Sequence, residues 1–162
     1  MPNPVVLVAL LVVAAALLAL KAMLGRKGKA YYLRKSLFTP AEQAFLRVLE
    51  RELPRGVRVF GKVRLEDIFG VTKGFDRSEH QASRNRISRK HVDFLLVRSG
   101  DFAPLAGIEL DDRSHEAEDR RQRDAFVDSA FASAGLPLLH VPVQKSYNPA
   151  ELRAQVAAII KT

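Results

Sequence analysis

The sequence predicts an α/β domain: one mixed sheet between helices, in the order helix, three strands, helix, strand, helix, behind a single N-terminal transmembrane helix. Three observations predict it. Residues 5–20 form an uncharged apolar run. Residues 92–97 and 105–110 are two more apolar runs split by a Ser-Gly-Asp turn, as in a hairpin of buried strands. Around them, segments that open with helix caps alternate with short apolar runs, the pattern of a layered α/β fold.

The first run, VVLVALLVVAAALLAL, is followed by Lys21, whose amine can reach outward so that residues 22–24 lengthen the span. About 20 apolar residues cross a bilayer, so the length suffices. No charged side chain precedes the run, whereas Lys21, Arg26, Lys27, Lys29, Arg34 and Lys35 follow it. A cleaved signal peptide would carry its basic residues on the other side, and a buried core helix is the least favoured reading. The positive-inside rule then expects a single pass through the inner (cytoplasmic) membrane, with the C-terminal domain in the cytoplasm. Residues 1–24 read as the anchor, 25–37 as a basic juxtamembrane linker with Tyr31 and Tyr32 at the interface, and 38–162 as the α/β domain.

The chain has 162 residues and a net charge of +8. That balance favours nucleic acid or anionic lipid over acidic proteins. Much of the excess is explained by topology. The absence of cysteine excludes disulfides and thiolate metal sites.

Thr39-Pro40-Ala41-Glu42 opens the first helix of the domain, with Thr39 as N-cap, Pro40 at the first position and Glu42 completing a capping box. Glu42 has a second reading as a carboxylate bordering a site, but the capping box alone accounts for it. Phe45, Val48 and Leu49 give the apolar face. Residues 57–63 alternate as a strand with Lys62 turned toward the edge that carries the acidic residues, and residues 65–69 continue the strand or turn. Residues 70–90 lose periodicity and read as a loop of about twenty residues, a length associated with function or disorder. The loop carries Arg77, Arg84, Arg86, Arg89 and Lys90, which suits phosphate contact and plain solvation equally.

The hairpin concentrates the chemistry. Glu109 and Asp111 share one face because strand side chains repeat with period 2, while Ile108 and Leu110 point into the core. Antiparallel pairing brings Asp93, near the start of the first strand, beside that acidic pair. Converging carboxylates either raise one another's pKa or share a hard cation, and solvated strand-end charges are the plain alternative. Residues 116–134 read as a helix buried through Phe126, Ala130, Phe131 and Ala134, with Arg120, Arg121, Arg123, Asp124 and Asp128 on the other side. Gly135 caps it. Residues 136–143 form a central strand, and Asn148-Pro149-Ala150-Glu151 opens a last helix toward Ile160.

The strings TPAEQAFL, VDFLL, IELDDRSH, RDAF and AGLPLL occur in this order. On them, residues 38–143 resemble the bacterial family catalogued as domain of unknown function 2726, in the Vsr-like branch of the PD-(D/E)xK nuclease superfamily. The resemblance implies a restriction-endonuclease-like three-layer sandwich, α-β-β-β-α-β-α, and DNA endonuclease or phosphodiesterase activity with Mg²⁺ or Mn²⁺. It puts Asp93 and Glu109 at the metal positions, with the Leu110 carbonyl as a further oxygen. Asp111 stands where the superfamily pattern E-x-K has its lysine, and it joins Asp93 and Glu109 in the expected metal set. His115 is the first candidate for the proton-transfer role left open, against a reading as a helix-start residue. Lys62, Lys90 and Arg120 are weaker substitutes. Arg84, Arg86, Arg89, Lys90 and Arg120 are the expected nucleic-acid contacts. His140, where similar sequences carry Arg, reads as a core or edge histidine, and His80 and His91 have no assigned role. The alternative function is the same fold without catalysis, a membrane-tethered nucleic-acid- or protein-binding module.

Overall fold

The computed structural model describes residues 3–24, 31–74, 76–111 and 118–160. The chain divides into two compact units, Met1–Leu37 and Phe38–Thr162. In the first, helix α1 runs from Pro4 to Leu24, about 30 Å at the α-helical rise. Its Val5, Leu10, Val12 and Leu18 are all exposed. A helix apolar all round needs a nonpolar medium or a protein interior to cover it. Among the described residues it is the one helix long and apolar enough to cross a membrane.

The second unit is built in the order α2 (Pro40–Glu52), β1 (Val57–Arg64), α3 (Leu65–Ile68), α4 (Arg77–Ser88), β2 (His91–Arg98), β3 (Pro104–Asp111), α5 (Glu118–Ala134), β4 (Leu138–Pro142) and α6 (Pro149–Ile159). The sheet order is β1-β2-β3-β4. β1, β2 and β3 pair antiparallel, and β4 joins β3 in parallel after the α5 crossover. This is the mixed α/β arrangement expected from the sequence, with two additions before β2 and with one correction: β4, read as a central strand, pairs only with β3 and lies at the sheet edge.

Those additions are α3 and α4, in the stretch read as a strand continuation and a long loop. The loop expectation is corrected: residues 77–88 are helical. Asp76 accepts from the Ser78 and Glu79 N–H groups, and the Glu79 carboxylate accepts from the Asp76 N–H, completing a capping box. The D-x-x-E signal was present. Only Ile87 on this helix is buried, so it has no apolar stripe from which a 3.6-residue period can be read.

Both faces of the sheet are covered. Phe45 and Leu49 of α2 and Leu152 and Val156 of α6 pack on Phe94, Leu96, Ala106 and Ile108. On the opposite face, Val127 and Phe131 of α5, Leu65 of α3 and Ile87 of α4 pack on Val92, Leu95 and Val97. Full burial of each such side chain contributes about 1.5–3 kcal/mol. Gly107 lets α5 close on the sheet, because a Cβ there would overlap Phe131 and Leu138.

Candidate functional site

β1 and β2 turn over together near one end of the sheet, late in β1 and early in β2, and that point makes the site. Val57 and Val59 face the α2–α6 side, yet Val63 faces the α5 side. On β2, Phe94 and Val92 likewise belong to opposite faces although they are two residues apart. The pairing runs Gly61↔Phe94 and Val63↔Val92, with Lys62 and Asp93 at the reversal. Lys62 has φ of 56°, a left-handed conformation that costs a non-glycine residue about 1–2 kcal/mol.

Two ion pairs hold Lys62 there. Its Nζ donates to Glu42 Oε1 at 2.6 Å and to Asp93 Oδ1 at 2.8 Å. Glu42 is buried and does more than cap: Oε2 accepts the Thr39 N–H of the capping box while Oε1 accepts from Lys62. Asp93 Oδ2 accepts the Leu110 N–H at 3.1 Å. Phe94 pairs with Ile108, which sets Asp93 opposite Glu109, as the hairpin register requires.

The electrostatics run against the expected mutual repulsion. Burial pushes the Asp93 carboxyl up, but hydrogen bonds from Lys62 and the Leu110 N–H, the Lys62 charge and an interaction with Glu109 together hold it below the usual carboxylate range. Burial likewise disfavours the Lys62 ammonium, and its bonds to Asp93 and Glu42 outweigh that and raise its pKa. Lys62 is therefore a fixed cation at neutral pH. It cannot take a proton from water.

Asp111 belongs to a second cluster. His140 Nδ1 lies 3.1 Å from Asp111 Oδ1, and Nε2 lies 2.9 Å from Asp128 Oδ1, tying β3, β4 and α5 together. His140 is thus the satisfied edge histidine read from the sequence, on the edge strand β4 with both ring nitrogens hydrogen-bonded. Desolvation lowers its pKa, but the two carboxylates outweigh this and raise it above 6.5. Among the described residues no group of three or more His, Asp or Glu could hold a metal ion. His115 and the Arg120 side chain lie outside the described residues. Arg84, Arg86 and Arg89 are exposed on or beside α4, and Lys90 stands 5.1 Å over the Phe126 ring. His80 and His91 are exposed.

Sequence reasoning undervalued Lys62 and missed Asp128. No turn specifies the β1–β2 register that sets Lys62 beside Asp93, because α3 and α4 lie between the two strands. Asp128 had no signal either, because the depth of α5 against β4 follows from the packing of a crossover helix. No curated protein and no solved structure matches the chain. A match to the model of the family "Protein of unknown function (DUF2726)" covers residues 34–159, and the chain belongs to that family.

Proposed function

We propose that this is a single-pass inner-membrane protein whose cytoplasmic domain has a restriction-endonuclease-like fold and hydrolyses phosphodiester bonds in DNA with Mg²⁺ or Mn²⁺. The observation that carries the reading is the Lys62 ammonium, 2.8 Å from Asp93 and beside the Asp93–Glu109 pair. The lysine absent from the E-x-K position, where Asp111 stands, then comes from β1. The anchor rests on the length of α1 and the basic residues after it.

The donor set fits a magnesium-type ion. Asp93 and Glu109 are two carboxylates on adjacent strands, and such ions are commonly held by one or two carboxylates, with water and phosphate completing the shell. A bound ion would supply neutralisation of phosphate charge and a more acidic water. The protein's own contributions are distinct. Glu42 and the Leu110 N–H fix the positions of Lys62 and Asp93, and the Lys62 ammonium would supply preorganised positive charge to a phosphate bound there.

The binding-module reading draws on a different observation, the engagement of Asp111 by His140, which removes the third expected acid. One experiment separates the two. The full chain in phosphatidylcholine nanodiscs is titrated calorimetrically with Mn²⁺ and incubated with linear, nicked and mismatched DNA. The enzyme reading expects Mn²⁺-dependent cleavage that Asp93→Ala and Glu109→Ala each abolish while DNA binding persists. An inert protein that binds DNA without metal would leave the binding module.

A further inference from the structure

Helix α4 is held by very little of the molecule. Of its residues only Ile87 is buried, and Ser83 and Ser88 are half-buried, so one narrow side meets the body of the domain. Its ends are fixed by other means. The Asp76–Glu79 capping box closes the N-terminus, and the Lys90 carbonyl beyond the C-terminus accepts the Leu65 N–H at 2.9 Å.

At about 100° per residue, the side directly away from Ile87 carries Ser78, Gln81, Ala82, Asn85 and, just past the end, Arg89. Gln81 Nε2 donates to Asn85 Oδ1 at 2.9 Å, which aligns the two amides along one ridge. Arg86 flanks this ridge on one side, and Arg77 and Arg84 flank it on the other; all are exposed. The only acidic residues here, Asp76 and Glu79, are engaged at the N-cap. Amides and small residues on a ridge between Arg86 on one flank and Arg77 and Arg84 on the other match the major groove of B-form DNA, with Gln and Asn at base edges and Arg at the phosphates of both walls. The groove admits a helix of this kind.

We propose that α4 enters the major groove of duplex DNA, with Gln81 and Asn85 facing base edges, Arg77, Arg84 and Arg86 straddling the two backbones and Arg89 adding a cation just past the helix end. Two residues, Arg89 and Lys90, separate α4 from β2, and Asp93 follows as the third residue of that strand. A duplex held by α4 is thereby directed to the Asp93–Glu109 end of the sheet. The proposal names the substrate of the site proposed above and rests on that reading for its catalytic consequence, whereas groove binding is measured without metal and stands or falls separately.

The test is metal-free binding by the full chain in phosphatidylcholine nanodiscs, read by fluorescence anisotropy. The probes are one mixed-sequence DNA duplex, the same sequence as RNA duplex and as single-stranded DNA, and the duplex carrying glucosylated 5-hydroxymethylcytosine, whose sugars fill the major groove; DNA duplexes of other sequences are compared with the first to read sequence preference. The plain DNA duplex should bind at least about tenfold tighter than the RNA, single-stranded and glucosylated probes, since the A-form major groove is too deep and narrow for side chains to read. The combined Arg84→Ala, Arg86→Ala, Arg89→Ala variant should lower the slope of log K against log salt by about three. Gln81→Ala with Asn85→Ala should leave that slope unchanged and erase differences among duplex sequences. These side chains are exposed, and unchanged far-ultraviolet circular dichroism checks the fold of each variant. Equal affinity for DNA and RNA duplexes, tolerance of the glucosylated duplex, or binding of the arginine variant at full strength would each overturn the proposal. So would attraction to nanodiscs of phosphatidylserine with no affinity for DNA, which would assign the basic helix to a membrane surface.

Discussion

The domain contains the same device twice, a cation held between two carboxylates, in two different surroundings. Lys62 lies between Glu42 and Asp93, with side chains 23 %, 12 % and 13 % exposed. His140 lies between Asp111 and Asp128, with side chains 38 %, 50 % and 53 % exposed. Reduced solvent contact lowers the local dielectric and strengthens the first set, whereas water and salt screen the second. The first cation is permanent and strained into place; the second is titratable. The contrast argues that Lys62 supplies a fixed charge to the site, while His140 fastens α5 to the sheet conditionally.

Removing the fixed charge should have the largest effect. Lys62→Met would leave Glu42 and Asp93 without their shared cation, at a cost of about 3–5 kcal/mol in thermal or denaturant unfolding of the full chain. A smaller loss, near that of an exposed pair, would erase the distinction between the two clusters. Next in size is Asp93→Asn, which keeps an acceptor for the Leu110 N–H but removes the ionic partner of Lys62. It should destabilise the metal-free protein by about 2 kcal/mol. Stabilisation would instead restore the picture of mutually repelling carboxylates.

His140→Gln should cost under about 1 kcal/mol, and high salt should abolish the difference. The pH dependence has opposite signs in the two clusters. The folded pKa of His140 is raised above 6.5, so its contribution is full below that unfolded value and lost as pH rises through the folded one. Asp93 is lowered from 3.8, so its contribution is full above that value and lost only as acid reaches the folded pKa. Hydrogen exchange of α5 amides near Asp128 should therefore quicken, after correction for intrinsic rate, as pH rises from 6.5 through the folded His140 pKa. Amides around Asp93 should keep constant protection over that range. Identical profiles at both places would show that the clusters do not differ as described.

What the sequence disclosed follows from where periodicity held. The hairpin of β2 and β3 obeys period 2, so Asp93 and Glu109 are neighbours by counting alone. Thr39 and Glu42 announce the start of α2 through cap chemistry that needs no tertiary context. The pairing of Glu42 with Lys62 was not countable in that way. Strand alternation breaks at Lys62, whose φ of 56° reverses the faces of β1, and a lysine in the left-handed region carries no local sequence signal. Helix α4 escaped detection because its cap residues were read without an apolar stripe to follow them. The partnership of Asp111 with His140 follows from the parallel pairing of β3 and β4, which sets Glu109 opposite His140 and Asp111 opposite Pro142, a register that no turn specifies.

The most direct test of the central claim is single-turnover cleavage of duplex DNA by the full chain with Mn²⁺, comparing Lys62→Ala and Lys62→Arg with the unaltered protein. Calorimetric Mn²⁺ affinity is measured on the same samples. If Lys62 on β1 is the electrostatic partner of the Asp93–Glu109 pair, Lys62→Ala should lower the rate about 10²–10³-fold. Lys62→Arg should recover part of it, and Mn²⁺ affinity should hold or rise as a competing cation leaves Asp93. Cleavage by Lys62→Ala at the unaltered rate, or no cleavage by the unaltered protein despite Mn²⁺ binding, would contradict the account.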